Sequence, residues 1–86
     1  MYTLIIDCSN FALKHSAHVI DNNGNIIALM YLSDTDIPDL VSQDNRISSI
    51  KLSGATEYCN GLKDEIEKKL VLEYANSKRN VEIEVI

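Results

Sequence analysis

The sequence lacks a basic cluster. Eight Lys and Arg stand against thirteen Asp and Glu, for a formal net charge of −5 over 86 residues and a pI near 4.8. The cations are scattered, apart from the pairs Lys68-Lys69 and Lys78-Arg79. A protein that grips a phosphate backbone presents a clustered basic face, so general nucleic-acid binding is disfavoured. Long apolar runs are missing too. None approaches the roughly 18 residues of a membrane span, and MYTLIIDCSN at the start has no basic region ahead of an apolar stretch that breaks at Asp7. Neither a span nor secretion is expected. Cysteine is scarce: Cys8 and Cys59 have no CxxC spacing, and they form no zinc-site pattern with His15 and His18. Two reduced, half-buried thiols in a cytoplasmic protein are the expectation.

What is present is ordinary globular material. Hydrophobic residues make up 45% of the chain and charged residues 24%, which argues against disorder. A chain of this length forms one domain, 1–86, and buries only about 60 to 65% of the surface its unfolded form exposes, so it builds one modest core. Internal repeats and low-complexity segments are absent.

The order of predicted elements is more informative. Tyr2 to Cys8 (YTLIIDC) is a nearly continuous apolar run ending in an acid, the pattern of a central strand buried on both faces. Phe11 to Ile20 alternates as a half-exposed strand. Asn23-Gly24 predicts a type I′ hairpin turn, with Asn25 to Leu32 (NIIALMYL) as the return strand. Asp36 is a candidate N-cap and Pro38 fits a first helical turn, so a short helix follows, with Ile37, Leu40 and Val41 on one side. After a turn at Asp44-Asn45-Arg46, Ile47 to Leu52 reads as a strand ending at Ser53-Gly54. Thr56 can cap a long helix from Glu57 to about Asn76, striped by Tyr58, Cys59, Leu62, Ile66, Leu70 and Tyr74. Val81 to Ile86 alternates as a last strand with Glu82 and Glu84 outward. The last three elements form a right-handed βαβ unit. The expected fold is therefore α/β: βββαβαβ with a five-stranded mixed sheet in the order 3-2-1-4-5.

This layout resembles the ribonuclease H-like superfamily core, shared by ribonuclease H, RuvC-type resolvases and actin-like ATPases. LIIDCSN at Leu4 to Asn10 looks like the first strand of those families. There, an Asp at the strand's end holds a catalytic metal or faces a nucleotide phosphate. The resemblance carries that role to Asp7, with Mg²⁺ as cofactor only under a nuclease reading; otherwise no cofactor is expected. Two-metal cleavage needs several carboxylates converging on ions roughly 3.5 to 4 Å apart. In the nuclease families the fourth strand usually ends in or beside an acid, whereas here it reads Leu52-Ser53-Gly54. Asp34, Asp36 and Glu57 remain as potential helpers. The actin-like ATPases use glycine-rich phosphate turns, and the turn after Asp7 is Cys8-Ser9-Asn10, without glycine.

Other chemistry is thinner. Ser9, His15 or His18, and an Asp can be written as a hydrolase triad, but no GxSxG elbow is present. His15 and His18, three apart on a strand, point to opposite faces and cannot chelate one metal; both are expected on the sheet surface. Cys8 and Cys59 are expected at the same end of the sheet, where a redox pair is conceivable. The third strand should form a sheet edge, with Ile26, Ala28, Met30 and Leu32 as the partner-facing residues, while Glu82 and Glu84 guard the opposite edge. The functional expectation is a small acidic, non-enzymatic module that binds another protein or itself, of the kind that serves as an inhibitor or adaptor in phages or mobile elements. The alternative is a minimal metal-dependent nuclease or nucleotide-binding domain centred on Asp7.

Overall fold

The computed structural model describes residues 1–8, 14–54, 56–74 and 81–86, with residue 56 and residues 71–74 described by their backbone. The elements run β1 (Tyr2–Cys8), β2 (His15–Ile20), β3 (Ile26–Leu32), α1 (Asp36–Gln43), β4 (Ile47–Gly54), α2 (Thr56–Tyr74) and β5 (Glu82–Val85). The strands form one sheet in the order β3-β2-β1-β4-β5. β1 pairs antiparallel with β2 and parallel with β4, β2 antiparallel with β3, and β4 parallel with β5. The expected α/β class and strand order are thus what the chain adopts. Expected strand residues 11–13 and expected helix residues 75–76 lie outside the described residues.

Strand periodicity decides which side chains the helices cover. Leu4, Ile6 and Cys8 of β1, Ala17 and Val19 of β2, and Ile47, Ile50 and Leu52 of β4 are buried. They share one core with Ile37 and Val41 of α1 and Cys59, Leu62 and Ile66 of α2, so both helices lie on the same side of the sheet. The alternate residues of β1 face the other way: Thr3 and Ile5 are half-buried and Asp7 is exposed. This corrects the expectation that β1 is buried on both faces, because among the described residues no element covers the second face. Thr3 Oγ1 and Ser49 Oγ are hydrogen-bonded at 2.9 Å across strands β1 and β4.

Turn chemistry fixes the joints. The β2–β3 hairpin departs from the expected two-residue type I′ turn. Asp21 N–H donates to Asn25 O at 3.0 Å and Gly24 N–H to Asp21 O at 3.1 Å, with Gly24 at φ +84°. That is the pattern of a three-residue loop with glycine in the left-handed position. The Asp21 carboxylate organises it by accepting the backbone N–H groups of Asn23 and Asn25, each at 2.9 Å. Ahead of α1, Ser33 rather than Asp36 does the capping. Asp36 N–H donates to Ser33 Oγ at 3.1 Å while Ser33 N–H donates to Asp36 Oδ2 at 3.2 Å, a reciprocal exchange of capping-box type. At the end of β4, Gly54 has φ +133°, and a Cβ there would lie 2.1 Å from the carbonyl oxygen of Cys8. Only glycine lets β4 leave the sheet so close to β1.

Candidate functional site

Three places were marked by the sequence: the end of β1, the histidines and thiols, and the β3 edge. The fold separates them. Asp7 lies on the uncovered face, in register with Ser16 of β2 and Ser53 of β4. Its cross-strand neighbours are hydroxyls and no acid. Asp34 and Tyr58 meet on the other side of the sheet, with the buried His15. Among the described residues no three of His, Cys, Asp and Glu converge as a metal-binding group.

The covered side holds a polar trio that the sequence reading missed. His15, expected on the surface, is completely buried. His18, at the opposite parity, is half-buried on the uncovered face, so the expected divergence of the two histidines holds. Burial of an imidazole is tolerable only when its nitrogens are satisfied. His15 Nε2 lies 2.6 Å from Asp34 Oδ1 and 2.8 Å from the Tyr58 hydroxyl, and that hydroxyl donates to the same carboxylate oxygen. A carboxylate only accepts, so Nε2 carries the proton it shares with Asp34 and Tyr58. The His15 and Tyr58 rings lie 5.3 Å apart at 60°. Burial raises the Asp34 carboxyl, but the hydrogen bonds from Tyr58 and His15 and the His15 charge outweigh it and hold the group below its usual value. Burial, then the bond to Asp34, holds the Tyr58 hydroxyl protonated well above the usual phenol range.

The trio resembles a catalytic relay in composition but not in access. Asp34 is 58% exposed while the imidazole behind it has no exposure. Asp34 therefore lies between the imidazole and solvent, and His15 itself presents no accessible surface. Ser9, the nucleophile of the conceivable triad, lies outside the described residues. Cys8 is no substitute: burial, then the adjoining Cys59 thiol, pushes its thiol up to about 12. Cys8 and Cys59 are both free and buried, in contact at the same end of the sheet as expected, and more deeply covered than the sequence suggested. A thiol held protonated is a poor nucleophile and a slow redox partner.

The exposed apolar surface lies elsewhere. Among the described residues the large exposed hydrophobics are Met1, Ile86 and four residues of β3: Ile26, Ile27, Leu29 and Tyr31. Leu29 and Tyr31 are 77% and 73% exposed, opposite His18 and Ser16 of β2. The expected edge residues Ala28 and Met30 are half-buried against the core and Leu32 is buried, while Ile26 is 61% exposed. The parity of β3 therefore makes Leu29 and Tyr31, rather than Ala28 and Met30, its most accessible apolar side chains. The register shift between Val19 and Ile20 leaves Ile27 without a cross-strand partner, the mark of a bulge. A cleft of about 420 Å³ borders the same strand, lined by Ala28, Met30, Leu40, Tyr2 and Ile47 with the Asp44–Arg46 pair at its edge. Comparison with known proteins adds nothing to this geometry: no protein-family model matches the chain, and a search of curated proteins finds no match.

Proposed function

We propose that this protein works as a non-enzymatic binding module, engaging another protein or a second copy of itself through β3 and the uncovered face beside it. The observation that carries this reading is the grouping of four exposed apolar side chains on one edge strand. Natural edge strands are usually blunted by charge, proline or cover. Residues 22 to 33, which include all of β3, hold no charged side chain and no proline. An exposed apolar cluster on an unguarded edge strand marks an interaction surface more often than an idle one.

We also propose that the scaffold is ribonuclease H-like, a reading supported by its element order and its strand order β3-β2-β1-β4-β5. Asp7 and Asp34 sit on opposite sides of the sheet, so this pair of acids lends no support to the metal-dependent chemistry of that superfamily. Light scattering together with affinity capture tests the binding reading. A chain that captures a protein, or associates with itself, and loses this behaviour in a Leu29→Lys/Tyr31→Lys variant supports it. A strict monomer that retains nothing sinks it.

A further inference from the structure

The two edges of the sheet are opposites in chemistry, and this selects a partner. β5 carries Glu82 and Glu84, both exposed, on a four-residue strand. Two β5 edges brought together would place like charges side by side, and a β5 edge laid on β3 would press carboxylates against Leu29 and Tyr31. β3 laid on β3 has neither fault. A molecule of net charge −5 repels its own copies, yet residues 22 to 33 carry no charge, so β3 is where two copies can approach at the least electrostatic cost.

We infer that the binding occupant of β3 is a second copy of this chain, paired antiparallel through β3 about a two-fold axis to form one continuous ten-stranded sheet. The inference rests on the binding reading above and narrows it to one partner. The bulge at Ile27 confines regular pairing to Ala28–Leu32, whose partners in β2 run without a break. Its midpoint is Met30. A two-fold axis through Met30 sets Leu29 against Tyr31 of the second copy, and Tyr31 against its Leu29. Cross-strand aromatic and aliphatic pairs of this kind are favourable, and all four side chains lie on the uncovered face. On the helix side, Met30 meets its own copy and Ala28 meets Leu32, extending the apolar border of the cleft beside Leu40. The contact is isologous and closed, because it consumes the β3 edge of both copies. The acidic β5 edges are left outermost, where they oppose growth into longer sheets.

The interface is small. Joining two such strands buries roughly 400 to 500 Å² per chain, about half the usual ~800 Å² per partner, so the dimer is of the weak class and must be sought at high protein concentration. Sedimentation equilibrium from about 20 μM to 1 mM, the range suited to a weak contact, should show the average mass climbing from 9.6 kDa toward twice that value. Leu29→Lys should abolish the climb, and Glu84→Lys on the far edge should leave it intact, with circular dichroism confirming that both variants fold. Met30→Cys, in a chain whose own two thiols are buried, should form a covalent dimer on mild oxidation by a disulfide reagent, and Glu82→Cys should not. A mass that stays at 9.6 kDa throughout overturns the inference, as does a climb that survives Leu29→Lys or a covalent dimer formed only by Glu82→Cys. If the mass stays flat but the chain captures a different protein through Leu29 and Tyr31, the dimer is refuted and the wider binding reading stands.

Discussion

The two faces of the sheet are built from the same strands and follow different rules. On the helix side, Leu4, Ile6, Ile47, Ile50, Leu52 and Ile66 have no exposure at all, and His15, the one polar side chain completely buried among the described residues, is met by Asp34 and Tyr58. On the other side the same strands show Thr3, Asp7, Ser16, Ser49, Lys51 and Ser53, with apolar residues concentrated on β3. The covered face explains why the chain folds. The uncovered face, where stability places few demands, is where function has room, and the concentration of apolar residues at one edge of it calls for an explanation that folding does not supply.

The contrast should show most strongly in adjacent residues of β1. Ile6→Ala removes a side chain with no exposure from the middle of the core and should cost about 3 to 4 kcal/mol. Ile5→Ala, one residue away and only half-buried, should cost about 1 kcal/mol. A domain of this size has roughly 5 to 10 kcal/mol in total, so the first variant should be near its unfolding limit and the second comfortably folded. Urea unfolding of both measures the difference. Equal losses would mean that the uncovered face is in fact covered, by a second chain or by residues outside those described, and the comparison between faces would fall.

Asp34 offers a finer test, because it closes the covered side from the solvent. Asp34→Asn weakens the bonds to His15 and Tyr58 and should destabilise the protein by about 1 kcal/mol near neutral pH, a modest figure because the carboxylate is largely exposed. The folded Asp34 carboxyl titrates below its unfolded value. Its contribution is therefore present above the ordinary carboxylate range near pH 4 and is lost as pH falls through the folded value. The wild-type advantage over Asp34→Asn should shrink on acidification below about pH 4. Thermal melts of both proteins across pH 2.5 to 7 check this, and a gap that widens in acid would show that Asp34 is not the carboxylate satisfying His15.

Local pattern made the element order legible, and long-range contact decided the rest. The stripe Cys59, Leu62, Ile66 and the alternation of Glu82 and Glu84 announce their elements from spacing alone, and the order of elements then leaves few ways to arrange the sheet. The burial of His15 is not legible locally, because it depends on Asp34, 19 residues on, and Tyr58, 43 residues on. Nothing beside it in sequence signals either. The single covered face of β1 is hidden for a related reason: a short apolar run shows that a strand is hydrophobic, not how many layers pack on it. On β3, the unbroken run IIALMYL identified the edge but not which residues face outward, because the bulge at Ile27 resets the parity.

Asp7 is the smallest test and the one that bears on the uncovered face most directly. The residue is exposed, and its cross-strand neighbours Ser16 and Ser53 are neutral, so among the described residues neither packing nor an ion pair depends on it. Asp7→Asn should change stability by no more than about 0.5 kcal/mol. A magnesium or manganese site needs several oxygen ligands held in near-octahedral geometry, and one strand-end carboxylate flanked by hydroxyls provides too little charge to hold a divalent ion against its hydration shell. Calorimetric titration with Mg²⁺ or Mn²⁺ should accordingly give the same heats for wild type and Asp7→Asn. Saturable binding by the wild type that disappears in the variant would mean that further ligands gather around Asp7, and the uncovered face would have to be reread as a metal site instead of a binding surface.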